Sequence, residues 1–262
     1  MDCKNCHNSL RDSQRFCDEC GAKILQNRLT LKVIANQINE EFLSIDNRLL
    51  STFITLFTKP EDVIVGYIDG TRKKYVDVLQ YFAFALTLAG IQVFLMSTFF
   101  KEALDINMYE KLENMPGQEN NPFKDMDFGF FTNYQGLFYI IGVPISAFST
   151  WFVYYLVNER RYNFTEHIVI NLYYSAQVII ITAVLSILFL LFGLNYLIVS
   201  TLLMIPYFIY WYFILKRVFN ERHVDTIAKL LLVIVVYIAG YIILGLILSL
   251  IAAVITIGLL NK

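Results

Sequence analysis

Ile168–Phe192 reads IVINLYYSAQVIIITAVLSILFLLF, 25 residues without one formal charge. At about 1.5 Å per residue it spans a hydrocarbon layer of about 30 Å, and this decides the fold class. Four further segments have the same character: Val78–Phe100, Leu137–Val157, Tyr196–Leu215 and Leu230–Leu260. The last exceeds one crossing. It is counted as one span that tilts, breaks near Gly240 or Gly245, or extends past the hydrocarbon. The composition agrees, with 57% hydrophobic and 16% charged residues, against about a quarter charged in soluble domains. The 22 Phe and 17 Tyr fit packed helices with interfacial aromatic belts. The expected fold is an all-α polytopic membrane protein of five spans.

Charge in the connecting segments orients these spans. Arg72-Lys73-Lys74, Arg160-Arg161, and the group Lys216, Arg217, Arg222 and Lys229 fall at one membrane face, which is expected to be cytosolic. The opposite face receives Lys101–Gly136, with three lysines against seven acids, and the turn Gly193-Leu194-Asn195. The N-terminus is then cytosolic and the C-terminus outside. An integral membrane location with the basic turns on the cytosolic side is expected.

All four cysteines lie in the first twenty residues, as Cys3-x-x-Cys6 and Cys17-x-x-Cys20. Each pair can wrap a turn around one metal, and the ten residues between the pairs suffice for a short hairpin. Met1-Asp2-Cys3 shows neither a basic n-region nor an apolar run, so the ribbon is expected to begin the mature chain in a reducing compartment. Four thiolates in a tetrahedral array fit a structural Zn2+; iron is chemically possible but lacks a surrounding domain of rubredoxin size. Gly21 suits the left-handed turn of a metal knuckle, and His7 holds the equivalent place after Cys6. His7 is a lesser candidate as a further ligand. Lys4, Arg11, Arg15 and Lys23 are balanced by Asp2, Asp12, Asp18 and Glu19, so the ribbon lacks a basic patch for nucleic acid.

The expected domains are a zinc ribbon over 1–27, juxtamembrane amphipathic helices over 28–77, and a membrane domain over 78–262 with an external loop at 101–136. Val33, Ile34, Ile38, Phe42, Ile45, Leu49, Phe53 and Leu56 recur at helical steps, with Lys32, Glu40, Glu41, Asp46 and Arg48 forbidding a span. Lys59-Pro60-Glu61-Asp62 starts a second helix, with proline in its first turn and acids at the positive dipole end. Gly70 closes it. The two helices lie along the membrane surface or pack on the bundle's cytosolic face.

Outside the cysteines, Glu166-His167 is the most enzyme-like pair, and His223 lies at the same membrane face. Joined, the three form a proton relay or a second metal site. Separately, they are polar helix-end residues at an aqueous interface. No GxSxG turn, HExxH motif or Gly-rich phosphate cradle accompanies them. Gln92, Asn171 and Gln177 are polar groups within spans, suited to interhelical hydrogen bonding, and no acid or base lies deep in the apolar regions. Asn158-Glu159-Arg160 and Asn220-Glu221-Arg222 repeat faintly, through duplication, shared capping needs or chance.

Three stretches carry a resemblance: Cys3–Gly21; Lys59–Ile64 with Tyr67–Tyr75; and Tyr162–Val169. With them the chain resembles a bacterial family of zinc-ribbon polytopic membrane proteins, typical of Bacteroidetes and known as a domain of unknown function. The family pattern implies a Pro near Asp77 and further His after Glu166-His167. Val78 and Tyr173-Tyr174 stand there instead, so roles at those positions do not carry over. The five-span order is also similar, at fold level, to Yip1-type membrane proteins. Fold likeness alone implies no function.

These readings lead to a non-enzymatic scaffold, assembly or lipid-organising protein in contact with the bilayer, its ribbon available to dock a protein partner. A transporter or channel component for a small solute is the first alternative. An intramembrane enzyme using Glu166, His167 and His223 is the second. Oligomeric state is left open.

Overall fold

The computed structural model describes residues 2–11, 14–22, 24, 30, 48–100, 134–193 and 196–260, without the side chains of 196–199 and 251–260. The stretch 31–47 and most of the expected external loop, 101–133, lie outside the described residues. The chain divides into two units, Met1–Asn47 and Arg48–Lys262.

The first unit contains the zinc ribbon, described below with its cysteines. The second is helical: α1 (Arg48–Thr58), α2 (Pro60–Ile68), α3 (Val78–Phe99), α4 (Gln135–Leu156), α5 (Phe164–Leu191), α6 (Tyr196–Phe219) and α7 (His223–Leu260). The last five are long and apolar enough to cross a membrane. Helix α5 is the hub, packing on α2, α3, α4 and α6, while α7 leans on α4 and α6 from outside. Burial agrees: 44% of the α5 span window is buried, against 11% for α7.

Two helices extend beyond the apolar segments at the end that carries the basic turns. Helix α5 starts at Phe164 rather than Ile168, and α7 starts at His223 rather than Leu230. The reason for α5 is a capping box. The Asn163 side chain accepts the Glu166 N–H at 3.0 Å, while the Asn163 N–H donates to the Glu166 carboxylate at 2.6 Å. Capping needs no apolar side chain, so a helix can outlast its hydrophobic run. Helix α7 passes through Gly240 and Gly245 without a break and is about 57 Å long. Both Gly142 in α4 and Gly240 in α7 mark close approach. A Cβ on Gly142 would lie 2.7 Å from the Tyr241 hydroxyl, and one on Gly240 would lie 2.8 Å from Ile145 Cγ2.

The turns at this end share one device. Helices α2, α4 and α6 are followed by Gly70, Asn158 and Asn220 at φ +103°, +61° and +52°. The next N–H then reaches back: Thr71 to Gly66 O at 2.8 Å, Glu159 to Tyr154 O at 2.9 Å, and Glu221 to Lys216 O at 3.2 Å. These are Schellman closures, in which the left-handed residue turns the chain and a later amide satisfies an orphan carbonyl. The recurring Asn-Glu pair thus answers one capping need twice.

Candidate functional site

In the ribbon, both CxxC segments adopt the same knuckle. The His7 N–H donates to Cys3 O at 2.8 Å and the Gly21 N–H to Cys17 O at 2.9 Å. The left-handed position is filled by His7 at φ +62° and Gly21 at φ +69°. All four Sγ atoms lie within 4.8 Å of one another. The Cys3–Cys20 and Cys6–Cys17 sulfurs are each 3.6 Å apart, close to the ~3.8 Å tetrahedral edge that Zn–S bonds of ~2.3 Å require. The Asn5 side chain, then the Ala22 backbone, lower the Cys20 thiol, while its hydrogen bond to Cys20 helps hold the Cys6 thiol up, so the two share a proton in the absence of metal. His7 serves the turn and stands apart from the four-thiol cluster.

In the helical unit, α1, α2 and the start of α3 are tied to the hub by buried hydrogen bonds. Thr52 is fully buried; its hydroxyl accepts the Val76 N–H at 3.0 Å and donates to Arg48 O at 2.7 Å. Tyr173 of α5 donates to Val76 O at 2.9 Å. Gln177 of α5 donates to Phe53 O at 3.1 Å and accepts from the Tyr81 hydroxyl. Tyr210 of α6 donates to Leu56 O at 3.1 Å. On α2, Tyr67 donates to Asp77 at 2.9 Å beneath the Arg72 guanidinium, 3.8 Å from its ring; burial and then the Asp77 bond raise its phenol.

The basic turns meet nearby. Lys74, Arg161, Lys216 and Arg217 line a cleft of about 660 Å3 together with Glu61, Asp62 and Glu221. Arg217 pairs with Glu61 across it. Lys229 pairs with Glu221, their side chains only 15% and 10% exposed, and Thr226 donates to the same carboxylate. The charges that the sequence assigns to one face therefore do share one end of the bundle.

Glu166, His167 and His223 have separate partners. Glu166 belongs to the capping box. His167 is 1% exposed, with Nδ1 3.0 Å from the Thr150 hydroxyl, which also accepts from Asn171 at 2.9 Å. The Tyr154 and Phe219 rings lie against it. His223 is exposed, bonded to Tyr212 and to Lys216, whose Nζ is 2.6 Å from Nε2. Of the span amides, Gln177 and Asn171 bond between helices, whereas Gln92 donates within its own helix to the Met96 sulfur at 3.4 Å.

Sequence reasoning passed over Thr52, Tyr173 and Tyr210. Their hydroxyls match backbone groups that are remote in sequence, and no local pattern marks them. The Asn163-x-x-Glu166 box was readable as a capping signature.

Two families match parts of the chain. A zinc-ribbon domain family matches residues 3–24, and a family described as a protein of unknown function (DUF3667) matches residues 46–90. The first match is the four-thiol ribbon. The second covers α1, α2, the Arg72–Lys74 turn and α3 as far as Gly90, the segment that Gln177, Tyr173 and Tyr210 hold. No curated protein and no solved structure matches the chain. The chain therefore joins a zinc ribbon to a helical domain of membrane type.

Proposed function

We propose that this is a non-enzymatic protein of the bacterial cytoplasmic membrane that serves assembly or lipid organisation. Its ribbon is closed by a structural Zn2+ on Cys3, Cys6, Cys17 and Cys20 and docks a protein partner in the cytosol. The observation that carries the reading is how the polar residues are used. Glu166 caps a helix, His167 is enclosed by Thr150 and two aromatic rings, and His223 is held by Tyr212 and Lys216. Each has a structural partner of its own. Four protein thiolates complete a tetrahedral shell, and the folding free energy of so small a ribbon comes from the metal.

The orientation rests on the cleft, because Lys74, Arg161, Lys216 and Arg217 at one bundle end satisfy the positive-inside rule. The N-terminal unit is then cytosolic and α7 leads outward. The kinship with Bacteroidetes zinc-ribbon proteins belongs to this reading, supported by the ribbon and by the Lys59–Tyr75 motif within the matched segment. The likeness to Yip1-type proteins rests on the five-span order alone.

A transporter or channel component is the second reading, favoured by a cavity of about 310 Å3 among α4, α5, α6 and α7. Its wall is largely aromatic, including Tyr174, Tyr207, Trp211 and Tyr237, which suits packing better than passage of a polar solute.

Two measurements on the full chain in native membranes test the scaffold reading. Site-specific crosslinking from Lys4 should give defined protein adducts that disappear in the four-cysteine serine variant while the helical domain stays folded. Unchanged adducts, or none, would remove the docking role. Reporter fusions within 158–161 and within 101–136 should report cytosol and exterior respectively.

A further inference from the structure

Helix α1 exposes apolar side chains with only the hydroxyls of Ser51 and Thr58 among them. Arg48 and Lys59 flank it, and no charged residue lies between them. Thr52 and Leu56, both fully buried, face the bundle. On the other side Leu50, Ile54 and Phe57 are 57%, 52% and 42% exposed, spaced four and three residues apart on one stripe. Large apolar side chains exposed together on one helix face, with no charge among them, mark a surface that meets something other than water. Among the described residues, protein covers α1 on the Thr52 and Leu56 side only.

The depth of α1 identifies what covers the other. Its Leu56 carbonyl is bonded by Tyr210, six residues and about 9 Å inside Lys216, the first cation of α6. Its Phe53 carbonyl is bonded by Gln177, thirteen residues and about 20 Å along α5 from Phe164. The Phe57 ring packs on Tyr210 at 5.5 Å, beside the exposed Ile209 of α6. Thus α1 lies below the level of the basic turns, alongside the apolar stretches of the spans, with a cation at each end able to reach the interface.

We propose that α1 is an in-plane helix sunk into the leaflet on the side of the basic turns, with Leu50, Ile54 and Phe57 in contact with lipid acyl chains. Helix α3 starts at this same level, since Tyr173 and Thr52 together bind Val76 just ahead of it. The inference holds whichever compartment that leaflet faces, and so stands or falls apart from the docking role of the ribbon.

The test places a single tryptophan on the stripe. The chain has two, Trp151 and Trp211, and both become phenylalanine in the full-length protein carrying Ile54→Trp. In vesicles of phosphatidylcholine brominated in mid-chain, emission should fall about twofold or more relative to unbrominated lipid, with little quenching by aqueous acrylamide. Leu50→Trp gives the same readout should Ile54→Trp fail to fold, and Asp62→Trp, on the exposed face of α2, should respond oppositely. Strong acrylamide quenching at position 54 would overturn the proposal by placing the stripe in water. Protection from both quenchers would overturn it too, assigning the stripe to a protein partner or, if protection is lost on dilution in lipid, to a second copy.

Discussion

The Thr52 hydroxyl accepts the backbone N–H of Val76 at 3.0 Å, joining a juxtamembrane helix to the residue that leads into the first span. Val76 lacks a helical partner for this amide, and the bond is buried. Residues 24 apart thereby act as a single support, and the opposite side of Val76 is held by Tyr173.

Replacing Thr52 by valine keeps the shape and removes the acceptor. We expect a loss of about 1–3 kcal/mol, the cost of a buried unpaired amide, with Thr52→Ser recovering most of it. Reversible unfolding in mixed micelles reads the difference.

Gln177 joins α5 to both α3 and α1 through Tyr81 and Phe53 O. Gln177→Leu should cost about 1–2 kcal/mol, in keeping with interhelical bonds in membrane domains. With Tyr81→Phe it should be non-additive by about 0.5 kcal/mol or more. Strict additivity in the double-mutant cycle would show that the two side chains act independently.

Asn158 and Asn220 hold left-handed backbone at φ +61° and +52°. Asn→Gly at either position should be neutral or stabilising by a few tenths of a kcal/mol, whereas Asn→Val should cost about 1–2 kcal/mol. Equal tolerance of valine and glycine, measured by thermal unfolding, would contradict the closure described for α4 and α6.

Glu221 and Lys229 form a mostly buried pair at the α6–α7 turn. Removing one partner alone, as in Lys229→Met, should destabilise by about 2–4 kcal/mol because it leaves a buried charge without its counter-ion; Glu221→Gln with Lys229→Met should recover part of that loss. The pair of single variants and the double variant, compared by unfolding, decide between charge and shape.

The four thiols predict one zinc per chain by elemental analysis, falling to background in the Cys3→Ser/Cys6→Ser variant. A chelator should release the metal and increase proteolysis within residues 1–27, leaving α3–α7 intact. Acid should have the same effect, since protons compete for thiolates: occupancy is complete at neutral pH and declines as pH falls.

The sequence alone determined whatever depends on local pattern. Hydrophobic run length specified five spans, CxxC spacing specified the ribbon, and loop charge placed the basic turns together. Even the Asn163-x-x-Glu166 cap was written in four consecutive residues, although the pair next to it, Glu166-His167, also invites a catalytic reading. Only the tertiary structure decided the rest. Hydropathy could not show that α5 and α7 outlast their apolar runs, because caps and ion pairs sustain a helix in water. Nor could it show that Thr52, Tyr173, Gln177 and Tyr210 bind a helix of remote sequence by its own backbone, because a side chain's partner is set by packing. The neighbours of Glu166, His167 and His223 were decided in the same way. Their chemistry was visible in the chain, but three polar residues near one membrane face become a site only when their side chains converge, and here each bonds to different neighbours.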